Sequence, residues 1–372
     1  MKWILWIIML LPIANIYAAG HSLHIQMSKK AVGLVSDSKL KQLLNDNKSK
    51  WVIGSCLPDG GYAKGYAYSE EAHWPTFHRS YFNHIKSKCP ASKLEDADCQ
   101  GLVAHFMGMA AHGIEDEVYD ALLFSYSDKM DGQEDPSRLN AKDTLVDKYT
   151  IWDFKYAYDV MPTAVSPTED VYQALVPLLG KDEVQIDHIE VGQEIMIAAG
   201  SLERQTVNVF TEYADRKKYP WLRANYQSAP GGLNYSAATV AKLWNYYWNK
   251  FNDKTDIPAD VTIYPKDNGK VGLDRSVGRG QFYLISDHPL HNYTIYDDTF
   301  FVEELKDDGS WQRISTTHTF DRRGYICGLK PSRKLTEGRQ YRATLTTGVK
   351  DRDNNSLVKQ NLVWTVTAST IK

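Results

Sequence analysis

The sequence predicts a two-part chain, mainly α-helical over residues 19–255 and all-β over residues 256–372. Three observations predict it. Apolar residues recur at helical spacing through the first part, short alternating runs separated by Asp, Asn and Gly turns fill the second, and a polar linker running to Pro258 divides them. A length of 372 residues agrees with two or three domains of roughly 150 residues each. With 43% hydrophobic and 24% charged residues, the composition is that of a folded globular protein and excludes a disordered chain.

Residues 1–18 read as an export signal. Lys2 is basic, Trp3 to Tyr17 are mostly apolar, and Ala18-Ala19-Gly20 offers small residues for cleavage. The apolar run falls short of the ~20 residues that span a bilayer, and Pro12 and Asn15 interrupt it. A cleaved signal peptide and a secreted or periplasmic bacterial protein are expected, with a soluble mature chain.

Between Ser28 and Asp46, residues Ala31, Val32, Val35, Leu40, Leu43 and Leu44 recur near helical spacing and predict a helix. Residues 51–93 mix Gly, Pro, Tyr and His irregularly and are expected to be loop. Residues 96–124, 187–215 and 236–251 predict helices, the last with a stripe of Trp244, Tyr247, Trp248 and Phe251. Residues 281–285, 299–305 and 362–367 predict strands, with turns at Asp307-Asp308-Gly309 and Asp353-Asn354-Asn355. A β-turn is the expected role of Asp351, Asp353 and Asn355, in preference to a calcium loop, and His288, His291 and His318 are expected on the surface.

The formal charge is -3, with no long run of one sign, so nothing favours wrapping a polyanion and no nucleic-acid partner is expected. Four cysteines without a C-x-x-C spacing point, in an exported chain, to oxidation rather than metal thiolates. Cys89 and Cys99, ten residues apart across a polar stretch, are the favoured pair; Cys56 and Cys327 either join distant segments or stay free.

Eight of the eleven histidines precede residue 190, at positions 21, 24, 73, 78, 84, 105, 112 and 188. On the helix predicted after Leu102, His105, His112, Asp116 and Asp120 point in directions of about 0°, -20°, 20° and 60°, one narrow stripe. Phe106, Met107, Met109, Ala110, Ala111 and Ile114 surround it, so the stripe is expected to be buried. Buried imidazole and carboxylate need partners, and a divalent cation supplies one. The alternatives are an ordinary His112–Asp116 ion pair, a hydrogen-bonded core role for His105, and a solvated Asp120 near the helix end. His24, Asp59 and His73 lie in irregular segments from which a ligand can be aimed freely, and imidazole plus oxygen donors suit zinc or a similar ion.

The order His-Ile-Gln near the expected mature start, then Leu57-Pro58-Asp59, then His73-Trp74, then His112-x-x-x-Asp116 resembles the zinc-dependent phospholipase C family and its relative, the catalytic domain of glycosylphosphatidylinositol-specific phospholipase D. The resemblance covers roughly residues 20–250. It implies a helical catalytic domain in which Asp59, His73, His112 and Asp116 gather one zinc, with Asp116 bridging to a second. The second ion would take His24 or His21. A third, where present, would take Asp120 with His188 and either Glu190 or Glu194. This chain departs from the family at Gly192, where an acid four residues after His188 is usual. Two or three zinc ions are thus expected, with Asp59 also activating water. The implied reaction is hydrolysis of a glycerophospholipid, phosphatidylcholine foremost, to diacylglycerol and a phosphorylated head group. The partner is then a phospholipid membrane surface, with no obligate protein partner. Tyr62, Tyr66, Tyr68, Trp74 and Trp152 stand near enough in sequence to offer aromatic faces to a choline cation. Residues 335–345, 348–351 and 364–366 resemble a bacterial Ig-like domain, implying a β-sandwich. Two other readings stay open: a zinc-dependent nuclease or phosphatase on the same scaffold, and a non-catalytic exported adhesion or binding protein.

Overall fold

The computed structural model describes residues 20–131, 139–154, 165–206, 219–273, 281–320 and 324–370. The expected signal peptide, and residues 207–215 of an expected helix, lie outside them. Helices come first: α1 (His21–Leu34), α2 (Ser38–Asp46), α3 (Lys48–Gly54), α4 (Ala67–Ala72), α5 (Pro75–Lys88) and α6 (Ala97–Val118). Then follow α7 (Ser125–Met130), α8 (Leu139–Phe154), α9 (Thr168–Leu179), α10 (Ile186–Thr206), α11 (Pro220–Asn225) and α12 (Leu233–Phe251). The mixed layout, helices before strands, is as the sequence predicts. No described helix is long and apolar enough to cross a membrane.

Local chemistry explains two departures. The single helix expected from Ser28 to Asp46 is two, because Asp37 stops one and starts the next: its Oδ1 accepts the Lys39 and Leu40 amides at 2.9 and 3.0 Å, an N-cap. Residues 51–93 are not loop but a series of short helices. Pro75 is the first residue of α5, where its missing N–H costs nothing, and Pro58 opens a 3-10 segment, Leu57–Lys64.

Two compact units divide the chain, one within Met1–Gln26, Asp46–His112 and Asp135–Glu212, the other within Met27–Asn45, Gly113–Glu134 and Tyr213–Lys372. In the first, α9 packs on α5 and α10 packs on Leu57–Lys64. Helices α3 and α6 meet backbone to backbone, because a Cβ at Gly54 would lie 2.4 Å from the His105 carbonyl oxygen and one at Gly108 would lie 2.2 Å from that of Trp51. Cys89 and Cys99 form the favoured disulfide, while Cys56 and Cys327 are buried and not disulfide-bonded.

The second unit holds the strands: β1 (Val261–Tyr264), β2 (Gly269–Gly272), β3 (Phe282–Ser286), β4 (Phe300–Leu305), β5 (Trp311–Arg313), β6 (Thr316–Phe320), β7 (Ile326–Pro331), β8 (Gln340–Leu345) and β9 (Leu362–Ser369). They form two sheets, β1-β3-β7-β6 and β2-β9-β8-β4-β5. All pairings are antiparallel except β2 with β9. One core takes Phe282, Leu284 and Leu329 from the first sheet and Phe300, Val302, Tyr341 and Trp364 from the second. The period-two burial of β4 is what a strand with one face on such a core requires. Glu117 on α6 is fully buried and accepts the Gly324 and Tyr325 amides at 3.0 and 2.9 Å. Asp351 makes the expected turn, its Oδ1 accepting the Asp353 and Asn355 amides. His288, expected on the surface, is instead buried, with Nδ1 3.0 Å from Asp351 Oδ2.

Candidate metal centre

Helix α6 carries the centre. Its apolar residues occur on every face past the first turn, so it is buried from Val103 to Val118, including His105, His112, Glu115, Asp116 and Glu117 at 0% exposure. Three consecutive buried acids need three solutions. Glu115 accepts the Ser28 hydroxyl at 3.0 Å, Glu117 takes the two amides above, and Asp116 stands one turn beyond His112 on the same helix.

His112 is aimed by the chain before it. Its Nδ1 lies 2.7 Å from the Ser55 carbonyl oxygen. His73, immediately after α4, is aimed in the same manner, with Nδ1 2.6 Å from the Ser69 carbonyl oxygen. A carbonyl can only accept, so each Nδ1 carries its hydrogen and each Nε2 presents a lone pair in the neutral ring. These two Nε2 atoms face each other at 2.9 Å. Two lone pairs do not hold that separation unaided; a proton or a metal cation between them resolves it.

The third side is Asp59, fully buried on the 3-10 segment, whose Oδ1 is 3.4 Å from His73 Nε2 and 3.6 Å from His112 Nε2. Neither Asp59 oxygen makes a hydrogen bond among the described residues. Burial pushes its carboxyl up, but a proton on the facing imidazoles of His112 and His73 outweighs this through charge and hydrogen bonding and holds it well below the usual carboxylate range. His24, from the first turn of α1, stacks on His112 with ring centroids 4.0 Å apart. Two groups of three donors, His24-Asp59-His112 and His73-His112-Asp116, each gather within 4.8 Å.

The donors fit a divalent ion by two tests. A tetrahedral zinc with Zn–N and Zn–O near 2.05 Å separates its ligand atoms by about 3.3 Å, and the three edges here are 2.9, 3.4 and 3.6 Å. With neutral imidazoles, the Asp59 carboxylate is a buried negative charge that a divalent cation offsets. The outward hydrogen bonds of His73 and His112 to carbonyls are the support that metal-bound histidines ordinarily have.

The remaining sequence-derived candidates stand outside both groups. His21, at the first residue of α1, is buried, and neither ring nitrogen makes a hydrogen bond among the described residues. Asp120 is half-buried in a π-helical turn, Tyr119–Phe124. His188 is half-buried on α10 and stacks on Tyr66 at 4.1 Å, while Glu190 and Glu194 are exposed. His105 has the core role: Nδ1 is 3.0 Å from Tyr81 Oη and Nε2 is 3.1 Å from Ser166 Oγ.

Sequence reasoning did not find the carbonyls of Ser55 and Ser69, because any residue type supplies a carbonyl. It also left Gly192 unexplained. A Cβ there would lie 1.7 Å from Tyr68 Oη, and one at Gly60 would lie 2.6 Å from the Gly192 carbonyl oxygen. The two glycines let α10 close on the segment that presents Asp59, and the Tyr68 hydroxyl fills the space that a side chain at position 192 would take. Burial raises the Tyr68 phenol, with Asp59 adding to the effect, so it stays protonated.

No protein-family model and no curated protein matches the chain. Three solved structures of the bacterial S-layer protein SbsC share 12% identity with it. The N-terminal part gives a TM-score of 0.24 over 93% of this chain and 77% of that one. Domains 1–6 give 0.25 over 95% and 45%, and residues 31–844 give 0.23 over 80% and 46%. Scores this low carry no argument about fold or function.

Proposed function

We propose that the chain is an exported zinc-dependent phospholipase C, with a helical catalytic domain over residues 19–255 and an Ig-like β-sandwich over 256–372. The observation that carries this reading is the pair of Nε2 atoms held at 2.9 Å beside the buried Asp59 carboxylate. His73, His112, Asp59, His24 and Asp116 would hold the metal. Bound there, the ion would polarise a phosphoryl oxygen and lower the pKa of a water molecule.

The protein's own groups divide the remaining work. Ser55 and Ser69 fix the tautomers of His112 and His73, so the lone pairs point inward without rearrangement. Asp59 is ionised across the neutral range, and its Oδ2 makes no hydrogen bond among the described residues, so it can take a proton from the attacking water. The water oxygen bonds to phosphorus, the bond from phosphorus to the glycerol oxygen breaks, and that oxygen is protonated from solvent. Tyr62, with its ring 5.5 Å from His73, and Tyr66 offer half-buried aromatic faces to a cationic head group.

The test is elemental analysis of the purified protein with release of phosphocholine from phosphatidylcholine vesicles, with and without a chelator. Bound zinc with chelator-sensitive release supports the proposal. Metal without release favours a nuclease or phosphatase, and no metal with no release favours a binding protein; either overturns it.

A further inference from the structure

The face of α12 that meets the strands carries Lys242, Tyr246 and Lys250, each four residues from the next, so all three point the same way. Beneath them lies a buried row of Asp287, His288 and Asp351, at 6%, 2% and 2% exposure. The two ends are built alike. Lys242 pairs with Asp260 at 2.8 Å, and the Asp260 amide donates to Asp287 Oδ1 at 2.8 Å. Lys250 pairs with Asp353 at 2.6 Å, and the Asp353 amide donates to Asp351 Oδ1 at 2.9 Å. In the middle, the Tyr246 ring lies 4.0 Å from that of His288. His288 spans the row, with Nδ1 3.0 Å from Asp351 Oδ2 and Nε2 3.8 Å from Asp287 Oδ1. Its Nε2 is buried and makes no hydrogen bond among the described residues.

We propose that Asp287, His288 and Asp351 form a proton-operated clasp that fastens α12 to the strands in mildly acidic surroundings and loosens as the pH rises. With the ring neutral and both acids ionised, the row holds two buried negative charges and an imidazole lone pair facing one of them. Each proton taken up removes one charge, and a proton between Asp287 and Nε2 also replaces that repulsion by attraction. The other charged groups facing the row pair with each other, Lys242 with Asp260 and Lys250 with Asp353, and burial raises the Tyr246 phenol, which stays protonated.

Burial moves the Asp287 carboxyl up from 3.8 to about 6. A raised folded-state value means the folded chain binds the extra proton, so this stabilisation is full below 3.8 and is lost as the pH rises through about 6. Asp351 works in the opposite sense. Burial pushes it up, but the hydrogen bonds from His288 and Asn355 outweigh that and lower it, so its stabilisation is lost only in stronger acid.

The experiment is hydrogen exchange by mass spectrometry on the full chain at about pH 4.5 and about pH 7.5, corrected for the intrinsic exchange rate. The opening equilibrium of peptides covering 233–251 and 282–290 should rise about 25-fold between the two, and Asp287→Asn should abolish the rise. Asp353→Asn, which removes the Lys250 strut and leaves the row itself intact, should raise opening equally at both. An unchanged wild-type profile, or an Asp287→Asn chain that keeps the rise, overturns the clasp. Should Asp287→Asn fail to fold, the carbon chemical shift of the wild-type Asp287 carboxyl decides: titration near 6 upholds the clasp and a midpoint below 5 overturns it.

Discussion

Asp59→Asn tests the metal centre most directly. The carboxylate is fully buried, within 3.4 and 3.6 Å of two imidazole nitrogens, and supplies a buried negative charge that a divalent ion would offset. Removing one member of a buried charge group costs about 3–5 kcal/mol, which weakens metal binding by about 10² to 10⁴-fold. At a free zinc concentration of about 1,000 times the wild-type Kd, binding to the folded chain alone stabilises it by about 4 kcal/mol. A variant weakened about 1,000-fold would gain only about 0.4 kcal/mol at the same concentration. The assay is a pair of urea transitions for each protein, with chelator and with buffered zinc. The amide is close in size to the carboxylate, so the chelated transitions should differ far less than the zinc-loaded ones. Equal stabilisation of both proteins by zinc would refute the argument that Asp59, His73 and His112 are one cation site.

Two further outcomes are expected. Burial lowers His105 from 6.5 to about 3, so the unfolded chain binds the additional proton between those values and stability falls as the pH drops below 6.5. The loss amounts to about 3 kcal/mol by pH 4.5, and His105→Gln should flatten that slope in a series of urea transitions. Gly108→Ala places a Cβ 2.2 Å from the Trp51 carbonyl oxygen and 2.8 Å from the Ser55 nitrogen, so α3 must move. It should cost about 1–3 kcal/mol and, by displacing the Ser55 carbonyl that aims His112, weaken zinc binding about 10 to 100-fold in a competition titration. Gly101→Ala on the same helix, whose nearest contact would be 3.8 Å, should do neither.

The division into helices and strands was legible because it depends on periodicity, which each segment carries in its own residues. Helix α6 was the clearest case: its apolar residues forecast burial, and the four-residue step from His112 to Asp116 forecast a shared face whatever the helix packs against. Residues 51–93 were misread because Pro75 and Pro58 are breakers inside a helix and starters at its first turn, and composition does not say which turn is meant. Asp59 and His73 were legible as candidates by residue type, but the 2.9 Å approach of His73 to His112 was not, since thirty-nine residues separate them.

The amino-acid sequence by itself determined which residues form helices and strands, which helix is buried, and which side chains have donor atoms for a cation. Those properties belong to single residues and to neighbours along the chain. Only the tertiary structure decided that backbone carbonyls of Ser55 and Ser69 orient the two histidines, that Gly192 yields its space to Tyr68, and that His288 is buried between two acids. A carbonyl, a missing side chain and a buried charge acquire meaning from what the fold brings against them, and no local pattern encodes that.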